Sequence, residues 1–331
     1  MKKLLLATLF FIAYGCWPPG LDPDRKAGKF LFDVVNLEEF NSEYDDYNSN
    51  LPANKHGELH LIFSSKRERK DLFNLVYMPV QMRYDDGLQL TKGLNRTGSD
   101  YYETYSGAEA LIQKANGKFN VYGPRLISMY RDLNSFARAD SLLLFYADDA
   151  DGNMEIKYVQ NGAGNAPAKF ALLNSPANDA YPTFSRGGDR IYFSSDRDGN
   201  FDIYELTIPR VEAERITVAS LVNPPKYQLR KVEELSGLYN DKCPYLVDDH
   251  MVFVSDRPGG QGGEDIYYST YLNGKWSTPI NAGERINTSH NEYRPILPSL
   301  PNFNYLLIIF SSNRPGGKGG YDLYMTGLKS R

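Results

Sequence analysis

Towards its C-terminus the chain alternates short apolar runs with polar turns rich in Pro and Gly, and the alternation repeats itself. Val252-Phe253-Val254-Ser255-Asp256-Arg257-Pro258-Gly259-Gly260-Gln261-Gly262-Gly263-Glu264-Asp265-Ile266-Tyr267 returns as Ile309-Phe310-Ser311-Ser312-Asn313-Arg314-Pro315-Gly316-Gly317-Lys318-Gly319-Gly320-Tyr321-Asp322-Leu323-Tyr324. In each copy an apolar strand enters a Pro/Gly turn and a second strand leaves it, which predicts a β-hairpin. Weaker copies begin at Phe193, Phe145 and Phe63. A further strand with a polar start precedes most hairpins: Asn178-Asp179-Ala180-Tyr181-Pro182, Asn240-Asp241-Lys242-Cys243-Pro244 and Asn291-Glu292-Tyr293-Arg294-Pro295. Asn273-Gly274-Lys275-Trp276 marks a tight turn into yet another strand. A unit of four short strands cannot bury both faces alone, so the units are expected to pack radially as propeller blades.

The expected fold is therefore all-β, a closed β-propeller of four-stranded antiparallel blades, with five blades favoured and six possible. The interval from Phe63 to Phe145 is far longer than the later ones. Residues 80–130 are accordingly either one long insertion or a degenerate sixth blade. Within them Asn116-Gly117-Lys118-Phe119 echoes Asn273-Gly274-Lys275-Trp276 and predicts an outer hairpin. Residues 208–231, with Pro209, Pro224 and Pro225, read as a surface excursion. The last repeat stops after its third strand, and the alternating Phe30-Leu31-Phe32-Asp33-Val34-Val35 is placed to supply the missing one. The propeller domain is expected over residues 29–331.

These stretches resemble the TolB-like, WD-like β-propeller repeat of Gram-negative envelope lipoproteins, also found beside OmpA-type domains. The resemblance rests on residues 253–267 and 310–324 and on the acid-x-x-Pro strand start before them. It extends from about residue 41 to the end, strongly from residue 178. It implies the propeller fold and an envelope location. Activity does not follow, because propellers host many unrelated functions.

Composition narrows the partners. The 331-residue chain carries a formal net charge of −4 and a pI near 5.7, which argues against the clustered basic face that nucleic-acid binding needs. Its 25 tyrosines fit strands packed blade against blade. Lys2 and Lys3, an apolar run from Leu4 to Ala13, and Gly15 before Cys16 read as a secretion signal over residues 1–16. The run is too short for a spanning helix. Its end resembles a bacterial lipobox, which implies lipid attachment at Cys16 and anchoring to the outer membrane, facing either the periplasm or the cell surface. Residues 17–28, with Pro18, Pro19, Gly20 and Pro23, read as a tether. Cys16 and Cys243 are the only cysteines. A lipidated Cys16 leaves Cys243 as a packing thiol with no intrachain partner.

Candidate chemistry is sparse. His56, His60, His250 and His290 lack ligand spacing and read as solvated loop residues, and no nucleophile elbow or zinc helix motif is present. The Asp-rich stretches 149–155 and 196–202 superficially echo calcium loops, but elsewhere in the repeat Pro-Gly-Gly fills that place, so a turn is the simpler reading. Neither metal nor cofactor is expected. Asp241 and Glu292 are the candidates for a glycosidase acid pair facing a central channel. The repeated arginines instead suggest a structural ion pair in each blade. Arg67, Arg197, Arg257 and Arg314 are matched with Glu43, Asp179, Asp241 and Glu292, and in blade two the signs reverse as Arg131 with Asp149. Two functions follow as expectations. The favoured one is a non-catalytic, lipid-anchored scaffold whose loop face binds an envelope protein or a cell-wall or glycan component. The alternative is a propeller-fold carbohydrate-active enzyme of glycoside hydrolase type that uses channel carboxylates.

Overall fold

The computed structural model describes residues 30–52, 59–83, 89–92, 99–129, 142–161, 166–210, 216–298 and 305–329. A two-residue strand, β1 (Val35–Asn36), comes first. Blade one follows, with β2 (Asp46–Asn50), β3 (Leu59–Ser65), β4 (Asn74–Arg83) and β5 (Gln89–Lys92). Helix α1 (Ser99–Ala115) leads to blade two, built of β6 (Val121–Ser128), β7 (Leu142–Asp148), β8 (Glu155–Gln160) and β9 (Ala168–Lys169). Blade three has β10 (Asp179–Phe184), β11 (Arg190–Ser195) and β12 (Asp202–Thr207), then helix α2 (Val218–Val222) and β13 (Gln228–Lys231). Blade four comprises β14 (Asp241–Val247), β15 (His250–Ser255) and β16 (Asp265–Leu272), with an outer strand split into β17 (Lys275–Trp276) and β18 (Ile280–Asn281). Blade five runs β19 (Glu292–Ile296), β20 (Leu306–Ser312) and β21 (Asp322–Leu328). The fold is a five-bladed propeller of four-stranded antiparallel sheets.

The ring is joined by hydrogen bonds between its two chain ends. Val35 pairs with Met325 and Asn36 with Tyr324. On either side, Leu37 N donates to Leu323 O at 2.9 Å and Gly327 N to Leu31 O at 2.7 Å. Only residues 35–36 form a regular strand, and Arg285 ties the preceding segment down by donating to the carbonyls of Phe32 and Gly327. Phe63, Phe145, Phe193, Phe253 and Phe310 are fully buried on the second strands, where each fills the layer between adjacent blades.

Every innermost strand contains the same irregularity. Its register slips after the second residue, and its third residue adopts a left-handed backbone: Asn48, Gly123, Tyr181, Cys243 and Arg294, with φ of 59°, 57°, 60°, 59° and 46°. Pro follows that residue in four blades, at positions 124, 182, 244 and 295. Lacking an N–H, Pro cannot serve the ladder and is accommodated at a bulge.

The favoured count of five blades is the one observed: the long interval contains α1, and Ala108, Leu111 and Ile112 of that helix are buried with blade-two residues Val121 and Leu144. Two expectations are corrected. Asn116-Gly117-Lys118-Phe119 forms no outer hairpin. It joins α1 to β6, and Asn116 instead clamps the backbone of Leu75 from both sides. Residues 208–231 are more than a surface excursion, for they include the fourth strand of blade three, and Ile208, Ile216 and Leu221 enter the core.

Candidate functional site

The acids and arginines singled out in the repeat meet at one end of the blades. The register sets Asp46 opposite Ser65, Asp179 opposite Ser195, Asp241 opposite Ser255 and Glu292 opposite Ser312. The arginine two residues beyond each serine folds back over this pair. Arg67 Nη2 lies 2.7 Å from Asp46 Oδ1, Arg197 Nη2 2.7 Å from Asp179 Oδ1, Arg257 Nη2 2.5 Å from Asp241 Oδ1 and Arg314 Nη2 2.9 Å from Glu292 Oε1. Each Nε donates to the serine Oγ. Each Nη2 also donates to a carbonyl at the entry to its blade, at Phe40, Leu173, Leu235 or Ile286. The guanidinium of each further lies over its blade's buried Phe ring. The four acids are fully buried, so the arginines are engaged in the fold rather than offered to a ligand.

One predicted pairing is wrong, and another rests on a residue outside the described ones. Arg67 meets Asp46, not Glu43, because the inner strand of blade one starts three residues later than the motif suggested. In blade two the acid position is Val121 and the serine position Asp148. Asp149 does not sit where the other blades have arginine. It accepts from Asn120 N and Nδ2, as Asp196 does from Asn178 and Asp256 from Asn240. The cation of blade two is Lys157, 2.7 Å from Asp148. Arg131 lies outside the described residues, as do Cys16, the tether and His56.

The Asp-rich turns are spoken for in the same way. Asp151 pairs with Lys157 and Lys169, Asp198 accepts from Tyr204 Oη and Asp202 pairs with Lys231. Among the described residues no group of three His, Cys, Asp or Glu side chains is arranged to hold a metal. His60 is not a loop residue: it is fully buried in β3, hydrogen-bonded to Tyr77 Oη, and burial lowers its pKa to about 4. Cys243 is buried at the bulge of blade four, where burial pushes its thiol up to about 12.

Sequence reading missed the feature at the ring's centre. The second residue of each inner strand is Tyr47, Tyr122, Ala180, Lys242 or Tyr293, and all but Ala180 are only half-buried. The Tyr47 ring lies 6.3 Å from Tyr122, 6.0 Å from Tyr293, 6.0 Å from Tyr321 and 4.5 Å from Phe73. Tyr293 also reaches Tyr181, with the two hydroxyls 3.1 Å apart, and the Lys242 ammonium lies 5.4 Å from its centroid. Burial raises the pKa of the Tyr47, Tyr181 and Tyr293 hydroxyls well above the ordinary range, so they are neutral and able to donate. Lys242 is paired with Glu264. Tyrosine rings with neutral hydroxyls and an ion pair, partly exposed where the inner strands begin, form a mouth suited to stacking and hydrogen bonding with a polar ligand. The signal was a Tyr directly after the strand-starting residue in three of five blades.

The glycosidase pair fails on contacts. Asp241 is bonded to Arg257, while Glu292 is bonded to Arg314, Ser312 and both the N–H and hydroxyl of Thr288. Burial pushes both carboxyls up, against the pull of these donors.

No protein-family model matches the chain, and no curated protein matches it. Similar solved structures include a thermostable family-43 glycoside hydrolase, 13% identical, with a TM-score of 0.50 over 86% of this chain and 90% of that one. An endo-arabinase from Bacteroides thetaiotaomicron is 11% identical, with a TM-score of 0.49 over 90% of this chain and 98% of that one. A TolB from Agrobacterium tumefaciens is 13% identical, with a TM-score of 0.38 over 85% of this chain and 76% of that one. At such identities the likeness concerns the fold, and TolB shares the neighbourhood with glycoside hydrolases.

Proposed function

We propose that the protein is a non-catalytic binding scaffold of the cell envelope, which takes an envelope protein or a cell-wall or glycan component at the tyrosine-lined mouth of its ring. The observation that carries this reading is the composition of the mouth. It offers rings, hydroxyls and a Lys242–Glu264 ion pair, whereas the acids at the inner-strand starts are each bound to an arginine. Hydrolysis of a glycoside by the usual route needs two carboxyl groups facing one bond, and the two candidates, Asp241 and Glu292, are each held by an arginine. In this proposal Cys16 carries the lipid that holds the scaffold at the outer membrane.

The scaffold reading predicts that full-length protein in detergent binds isolated cell-wall glycan or an envelope protein captured by crosslinking. The Tyr47→Ala/Tyr293→Ala double variant should weaken binding at least about tenfold, since stacked aromatic contacts contribute on the order of 1 kcal/mol each, with unchanged far-UV circular dichroism. Unaltered binding by the variant would remove the mouth from the proposal. Cys16→Ser should shift the protein from the membrane to the soluble fraction, and unchanged fractionation would defeat the anchor.

A second reading, a carbohydrate-active enzyme, is favoured by one observation, the propeller shared with the family-43 glycoside hydrolase. It predicts release of reducing ends from arabinan or galactan, lost in Glu264→Gln. Binding without release in wild type leaves the scaffold reading standing.

A further inference from the structure

Near the central tyrosines the propeller holds a buried cation that no acid among the described residues neutralises. Arg294 is the largest fully buried side chain among the described residues, at 0% exposure. It occupies the left-handed bulge position of β19 with a φ of 46°, a conformation few non-glycine residues adopt and one found chiefly where the surroundings require it. Its Nη1 donates to Pro244 O at 3.3 Å, and its Nε and Nη2 meet no acceptor among the described residues. Among the described residues no carboxylate lies within ion-pairing distance, and the groups whose charge bears most on it are Cys243, Tyr181, Tyr245 and Arg125.

None of these groups supplies a negative charge. Burial pushes the Cys243 thiol up to about 12 and raises the Tyr181 hydroxyl well above its ordinary value, so both are neutral. Arg125 is a second cation, 4% exposed. Its guanidinium carbon is 4.4 Å from the Tyr245 ring centroid, and that of Arg294 is 6.0 Å from the same centroid. An arginine cannot discharge itself by losing a proton. A buried charge without a counter-charge is strongly unfavourable unless something neutralises it. In the next blade Asn48 holds the equivalent bulge position, and its buried amide nitrogen and oxygen also lack hydrogen-bond partners. Two unfilled donor groups thus belong to the same ring of bulges as a neutral thiol.

We propose that this ring of inner-strand bulges is a binding site for a small monovalent anion, of halide or simple carboxylate size, held by the Nε and Nη2 donors of Arg294. The small size follows from the complete burial of Arg294 under Tyr181. The anion is a constituent of the propeller centre and is independent of whatever partner the mouth binds. Its neighbour Gly123 fits this picture, because a Cβ there would come within 2.4 Å of the Tyr181 ring, and the glycine lets that ring close over the centre.

The test is thermal unfolding of the full chain at constant ionic strength, with chloride, acetate or glucuronate replacing a bulky sulfonate as the anion. A ligand that binds only the native state raises Tm in a saturable way. A rise of roughly 3 °C or more at saturating chloride or acetate is expected, and Arg294→Met should abolish that dependence. A chloride-only response assigns a halide site; a response to acetate as well assigns a site that admits carboxylates. An equal, non-saturating response to all anions overturns the proposal, and so does a response that persists in Arg294→Met. Should that variant fail to fold, chloride-35 NMR line broadening on the wild type decides: saturable broadening displaced by acetate supports the site, and its absence overturns it.

Discussion

Blade two and the other four blades solve the same problem with different residues. In blades one, three, four and five a buried acid on the first strand is met by an arginine that projects from the loop after the second. Blade two has Val121 in place of the acid and Ala150 in place of the arginine. Its acid has moved across the ladder to Asp148, and the cation comes from Lys157 on the third strand. The comparison teaches that a blade end requires a neutralised charge closing its hairpin, and that several residue placements meet that requirement. The arginine version does more, since one guanidinium also caps a carbonyl at the blade entry and covers the Phe and Tyr rings below.

Removing one of the four arginines should have the largest effect. Arg257→Ala strands Asp241, which is fully buried, keeps the Ser255 hydroxyl and has an Oδ2 without a partner. A loss of about 3 to 5 kcal/mol is expected in urea unfolding. Arg314→Ala should cost about 1 to 2 kcal/mol less, because Glu292 retains three other donors, from Thr288 and Ser312. Equal losses would show that the carboxylate's other bonds do not matter.

Blade two sharpens the point. Lys157→Met and Asp148→Asn should each destabilise by about 2 to 3 kcal/mol, and the double variant should cost less than the two together, with a coupling of about 2 kcal/mol. The Lys157→Met penalty should also shrink in acid. Burial raises the Asp148 pKa, so between the ordinary carboxylate value and the raised native one the native state holds a proton that the unfolded state has released, and stability falls as pH rises through that window. A penalty that stays constant as pH falls through the carboxylate range would contradict that account.

The smallest effect concerns blade one, where His60 is a departure of its own. Its native pKa of about 4 lies below the ordinary 6.5. The unfolded state therefore takes up the proton first. Stability is fully present above about pH 6.5 and declines as pH falls towards 4, by roughly 2 kcal/mol at pH 5. His60→Leu should flatten that limb of the stability profile, and a profile identical to wild type would show that other groups cause it.

How much of this was legible in the chain follows from what each residue depends on. The hairpins were readable because a Phe strand, a Pro/Gly turn and a returning strand are local, and the pairing of Arg197 with Asp179, Arg257 with Asp241 and Arg314 with Glu292 could be inferred from strands adjacent in sequence. Glu43 sits where the motif expects the acid, and blade one, whose inner strand lacks the proline of the others, carries no local landmark for Asp46. Asp149 was misplaced by one residue, and in a strand a shift of one sends a side chain to the other face. His60 looked like a loop residue because its burial depends on Tyr77, one strand away.

The sequence by itself determined the unit: four short antiparallel strands, a bulge at each X-Pro step of the inner strand, and a repeat that must stack to bury its faces. Tertiary structure alone decided what stands at the centre. Tyr47, Tyr122 and Tyr293 are remote from one another along the chain and meet only because five inner strands converge on one axis. The same convergence buries Arg294 beside a neutral thiol, tyrosines and a second arginine. Local pattern fixes which way a side chain leaves its strand, whereas its neighbours across the axis depend on how many blades close the ring.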